Sequence, residues 1–129
     1  MPRPPVTRLV VLAVALVAVA GLLAWLVRGQ PLPAGASRVE RVFHEYCADC
    51  HGRDGRGSWR SVVFMVNPGN LTDRARMAGQ TDRYLFDIIK HGGSPIGRPG
   101  MPGYGYHLSD EEIRELVGYL RRISGSGRS

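Results

Sequence analysis

The sequence predicts an all-α protein: one membrane-spanning helix followed by a small helical domain. Three observations carry that prediction. Leu9 to Val27 run without a single charge. From Ser37 onward apolar residues recur at helical spacing, and no alternating strand pattern competes with them. The only two cysteines lie in Cys47-Ala48-Asp49-Cys50-His51, so no thiol remains for a disulfide framework. At 129 residues the chain has the length of one domain. A domain of about 90 residues buries only a modest core, and a large apolar prosthetic group inside it would add to that core.

Residues 1–8 form a short, proline-rich, positively charged flank. The apolar run 9–27, as a helix, would span roughly 28 Å, about the hydrocarbon thickness of a bilayer. Trp25 followed by Arg28 resembles an interfacial anchor. A cleavable signal ending at Ala34-Gly35-Ala36 is the competing reading, but the run exceeds the 7–15 apolar residues usual for such signals. Arg3 and Arg8 favour the N-terminus inside, a bias blunted by Arg28, Arg38 and Arg41 beyond the run. Residues 28–36 (RGQPLPAGA) lack periodicity and read as a linker with a reach of roughly 15–18 Å if flexible.

The domain is expected over 37–124, with 125–129 as a flexible tail. Its first helix has Ser37 as N-cap and Val39, Val42, Phe43 and Tyr46 on one side, and it delivers the C-x-x-C-H. GRDGRG at 52–57 and PGNLT at 68–72 read as loops. Thr81-Asp82 starts a second helix, with Tyr84, Leu85, Ile88 and Ile89 on one face and Gly92-Gly93 as its stop. Six glycines and three prolines between 92 and 105 forbid regular structure and predict a shaped loop. The last helix opens on the capping box Ser109-Asp110-Glu111-Glu112 and continues through Ile113, Leu116, Val117 and Leu120. Arg121 and Arg122 in its last turn complement the helix dipole.

The net charge of +6 does not point to nucleic acid. Without Arg3, Arg8 and Arg28 beside the apolar run, 14 basic residues face 11 acidic ones, and no basic block carries interleaved aromatics. Asp110, Glu111 and Glu112 cap a helix, and no paired-carboxylate, Ser/His/Asp or phosphate-loop arrangement is present.

Two thiols spaced C-x-x-C can form thioethers to the two vinyl groups of one haem, and the following His51 then reaches the iron. The spacing also suits a thioredoxin-like dithiol or half of a zinc site. The first wants a βαβ setting and the second another ligand pair, and neither is present. The second axial ligand comes from Met65, Met77, Met101, His44, His91 or His107. Met101-Pro102 is the expected choice, because a glycine/proline loop can hold its backbone close to a porphyrin face. A methionine thioether also suits an electron carrier. His107, near the same loop, is its rival.

These segments together resemble the class I cytochrome c family in its bacterial monohaem form. The likeness rests on YCADCHGRDGRG at 46–57, NPGNLTD at 67–73, YLFDIIKHG at 84–92, GMPGYG at 100–105 and LSDEEIRELVGYLR at 108–121. It implies a small cytochrome c fold around one covalent haem c, held by Cys47 and Cys50 with His51 and Met101 on the iron. It implies that the first and last helices cross near Tyr46 and Tyr119. It also implies that the Pro68 carbonyl receives the ring N–H of His51, although the bulky WRSVVFMV at 59–66 departs from the family's glycine-rich stretch. Haem attachment in such proteins occurs outside the bacterial cytoplasmic membrane, which places the domain in the periplasm or outside, on a single-pass anchor.

With both axial positions filled, one-electron exchange is the expected chemistry, with no small-molecule substrate and no catalysis by the chain itself. The expected partners are respiratory or photosynthetic membrane complexes or other cytochromes. The alternatives are a fixed haem subunit of a larger oxidase, reductase or dehydrogenase, and a haem sensor with a labile axial ligand.

Overall fold

The computed structural model describes residues 5–27, 31–63 and 65–127. Residues 1–4 of the flank, 28–30 of the linker, Phe64 and the last two residues of the tail lie outside them. The described residues are helical, with no strand among them. They divide into two compact units between Pro33 and Ala34.

The first unit is helix α1, Pro5–Val27. Its Val6–Leu26 stretch has a mean hydropathy of 2.9, long and apolar enough to cross a membrane. The helix begins ahead of Arg8, inside the expected flank.

In the second unit, α2 (Arg38–Tyr46) starts at a full capping box. The Glu40 N–H donates to Ser37 Oγ at 3.3 Å, and the Ser37 N–H donates to Glu40 Oε2 at 2.7 Å. The helical path bends at Cys47 and resumes as α3 (Ala48–His51). α6 (Asp82–His91) starts at Thr81, whose hydroxyl accepts from the Tyr84 N–H, and stops at Gly92. α7 (Asp110–Ser124) carries the expected Ser109/Glu112 box and closes on Gly125 in the left-handed conformation.

Two short helices were not legible in the sequence: α4 (Trp59–Val63) and α5 (Arg74–Ala78), the latter capped by Asp73. With five residues each, they make fewer than two turns and show no periodicity. The glycine/proline loop also contains one 3-10 turn, Ser94–Ile96, with Pro95 in its first positions. The expectation of no regular structure there was too strict, because a proline pre-sets the φ that such a turn needs.

α2 and α6 pack against α7 around Phe43, Leu85, Ile89, Ile113, Leu116 and Leu120. Ile113 and Leu116 are fully buried, where truncation to alanine costs about 2–5 kcal/mol. The aromatic contact between α2 and α7 is Phe43 with Tyr119, centroids 5.2 Å apart. Tyr46 instead meets Tyr104 and His107. Arg121 of α7 ties the α5–α6 junction down. It donates to the carbonyls of Met77 and Gln80 and pairs with Asp82 at 2.7 Å.

Candidate functional site

A cavity of about 560 Å³ opens between these helices. Cys47, Cys50 and His51 line it together with Met101, which comes from the distant glycine/proline loop, and Pro68 does too. Among the other candidates, Met77 is a core residue on the cavity wall, and Met65 is 93% exposed at its rim. His44, His91 and His107 are not on the wall, and His107 is exposed and stacks on Tyr46.

The wall holding the C-x-x-C-H is helical. The His51 N–H donates to the Cys47 carbonyl at 2.9 Å, and Gly52 then ends the turn by donating to Ala48. Burial, and after it the neighbouring Cys50 thiol, pushes the Cys47 pKa up to about 12. A dithiol redox centre needs a lowered thiol pKa, so this environment disfavours one. A structural zinc site fares no better, since no cluster of three His, Cys, Asp or Glu exists among the described residues.

Burial brings the His51 pKa down to about 4, so the ring is the neutral imidazole that a metal requires. The nearby Arg76 cation acts in the same direction. The Gly69 backbone acts against it but does not reach hydrogen-bond geometry, and Nδ1 is left buried without a partner. The backbone acting on His51 is thus that of Gly69, one residue beyond Pro68. A positive φ of 73° at Gly69 turns the chain there. A half-buried ring with a buried, unpaired nitrogen, two thiols and a thioether on one apolar cavity is a donor set that fits a covalent haem.

The Met101 wall is built from backbone. A helix leaves its last carbonyls unpaired, and the loop supplies their donors. The Tyr104 N–H donates to Ile89 at 2.9 Å and the Gly105 N–H to Lys90 at 3.0 Å. The Gly93 N–H donates in turn to the Met101 carbonyl at 2.9 Å, and the Met101 N–H donates to Arg98. Such close approach requires glycine. A Cβ on Gly92 would sit 2.8 Å from the Met101 carbonyl oxygen, and one on Gly103 would sit 2.8 Å from His91.

Sequence reasoning did not single out Tyr104, Arg76 or Arg98, all on the cavity wall. The Tyr104 hydroxyl donates to the Tyr46 carbonyl at 2.7 Å, joining the two walls beside Cys47. Burial is the main reason its pKa rises to about 12, so it remains a neutral donor. Arg76 and Arg98 are the cations on the wall, and the charge of two haem propionates matches them. Asp73 as an N-cap was the available signal for the helix that carries Arg76.

The family described as "Cytochrome C oxidase, cbb3-type, subunit III" matches residues 34–120. The cbb3-type cytochrome c oxidase subunit CcoP of Rhodobacter capsulatus is 30% identical over 107 residues, covering 77% of this chain and 33% of that protein. The gluconate 2-dehydrogenase cytochrome c subunit of Pantoea cypripedii is 27% identical over 106 residues, 78% of this chain and 22% of that one. This chain therefore spans a third or less of the length of these relatives. The solved structure of the KustC0563 c-type cytochrome superposes with a TM-score of 0.54 at 20% identity. That superposition covers 69% of this chain and 96% of the other, and it shows a shared fold. With residues 34–120 matched and the fold in agreement, the chain belongs to the cbb3-type subunit III family of cytochromes c, electron-transport proteins that carry covalent haem c.

Proposed function

We propose that this chain is a one-electron carrier held to a membrane by α1, with its haem domain on the outer face. In this reading Cys47 and Cys50 would hold the haem by thioethers, and His51 and Met101 would ligate its iron. The observation that carries it is the convergence of these four side chains on one cavity. When bound, the group would supply reversible one-electron redox chemistry at its iron.

The protein's own contribution is placement and exclusion. α3 presents His51 as a neutral ring, and the loop–α6 hydrogen bonds hold Met101 with little freedom to move. Arg76 and Arg98 offset the propionate charge, and Leu85, Ile89, Leu116 and Leu120 keep water from the cavity floor. The chain itself performs no catalysis in this account. Its partners are redox complexes in the same membrane, because a linker of about nine residues gives a short reach.

A second reading has specific support: the relatives named above are subunits of an oxidase and a dehydrogenase. In that reading α1 packs against other membrane subunits and the haem domain passes electrons within a fixed complex. Gentle solubilisation of native membranes followed by sizing separates the two. A free haem protein of the chain's own mass supports the tethered carrier. Recovery only within a stoichiometric complex overturns it in favour of the fixed subunit.

A further inference from the structure

Helix α4 is inside out. Trp59, Val62 and Val63 fall at i, i+3 and i+4, the spacing that places side chains on one face. That face is turned to solvent, with exposures of 63%, 74% and 66%. The buried residue of the helix is Ser61, whose hydroxyl donates to the Ser58 carbonyl at 2.6 Å. Met65, just past the helix, is 93% exposed and holds a φ of +51°, a left-handed backbone that a non-glycine residue adopts at a cost. α2, α6 and α7 do the reverse, each burying its apolar side.

We propose that Trp59, Val62, Val63 and Met65 form a face that docks on the surface of the lipid bilayer. This rests on the tethered reading above. A linker of nine residues spans at most about 30 Å, so the bilayer is the one apolar partner that is always within reach of the domain. A short tether also raises the effective concentration into the millimolar range, so a weak contact is enough to hold the face down.

The chemistry suits a headgroup boundary. Tryptophan is the residue enriched there, and β-branched aliphatics give it apolar depth. In the sequence around the face, Arg53, Arg56 and Arg60 stand against Asp49 and Asp54, which leaves one net positive charge. Arg60 lies over the Trp59 ring at 5.7 Å and pairs with Asp49. Apolar burial therefore provides most of the contact, and anionic lipid adds a smaller preference. Met65 and Val66 also line the haem cavity, so docking sets which side of that cavity faces the membrane.

The test uses the full-length, haem-loaded protein in phosphatidylcholine nanodiscs containing a lipid with a photoreactive diazirine near the headgroup. Adducts are mapped by mass spectrometry. Those within residues 6–26 report the anchor, those within 59–65 report docking, and Tyr106, fully exposed, controls for exposure alone. The expected result is severalfold more labelling at 59–65 than at Tyr106. Exchanging part of the lipid for phosphatidylglycerol should raise it further, by at most about fivefold for one net charge. Val62→Asp with Val63→Asp should bring labelling to the Tyr106 level while anchor adducts and the visible haem spectrum stay unchanged.

Anchor adducts without excess labelling at 59–65 would overturn the docking and leave the tether standing. Loss of the anchor adducts as well would overturn the tethered reading and the docking with it. Protection of 59–65 in native membranes, with no lipid adducts in nanodiscs, would assign the face to a protein partner instead.

Discussion

The wall of the cavity that carries Cys47, Cys50 and His51 and the wall that carries Met101 each adjoin the C-terminal end of a helix. Each turns on a glycine in a region of backbone space open to almost no other residue: Gly52 at φ 75°, ψ 155° and Gly92 at φ 81°, ψ 179°. Beyond that shared device they differ. The first wall projects its side chains from helices whose position is set by apolar packing, with Phe43 against Tyr119. The second projects Met101 from a loop whose position is set by backbone hydrogen bonds to the last turn of α6. One wall should therefore fail when the core is hollowed, and the other when two backbones are pushed apart.

The largest effect separates covalent capture from everything else. Replacing Cys47 and Cys50 together by serine should abolish haem that survives denaturation, read as loss of haem staining on a denaturing gel. Next comes the packed wall. Phe43 is 2% exposed, and Phe43→Ala should cost about 3–5 kcal/mol in denaturant unfolding.

The two glycines sharpen the contrast further. Gly92→Ala and Gly52→Ala should each cost about 1–3 kcal/mol from backbone strain alone. A Cβ would also meet the Met101 carbonyl oxygen at 2.8 Å in the first case and the Gly57 carbonyl oxygen at 2.6 Å in the second. Their spectra should differ more than their stabilities. Gly92→Ala should weaken the methionine signature of the ferric haem, and Gly52→Ala should leave it in place. Equal loss in both would mean that the walls are not independently built. The smallest effect tests the strut between them. Tyr104→Phe removes the 2.7 Å bond to the Tyr46 carbonyl and should cost about 1 kcal/mol with the haem spectrum unchanged.

The same contrast explains what could be read from the sequence. The first wall was legible because its chemistry is local: five consecutive residues name the thioethers and the histidine. Ser37, Thr81 and Ser109 announced their helices by side-chain caps that lie next to what they cap. Met101 could be singled out by its loop, because glycine and proline in such density imply a backbone with a task. The loop's partner could not be read, since the hydrogen bonds from Tyr104 and Gly105 reach back to α6.

Arg76 and Arg98 escaped for the same reason, because they reach one cavity only after α5 and the loop have been placed around it. The backbone acting on His51 is that of Gly69, next to Pro68, and the aromatic contact to Tyr119 comes from Phe43, one turn before Tyr46. Each is a difference of one to three residues, which a motif does not resolve. The exposed stripe of α4 was present in WRSVVFMV as an excess of bulk, but only the burial of Ser61 shows which side faces out.

The central claim is that Met101 closes the coordination opened by His51, making this a carrier of electrons and not a binder of ligands. The most direct measurement is the near-infrared absorption of the ferric protein, wild type against Met101→Ala. The account predicts a sulfur-to-iron band in the wild type that is absent from the variant. A wild type without the band, or a variant that retains it, would contradict the account.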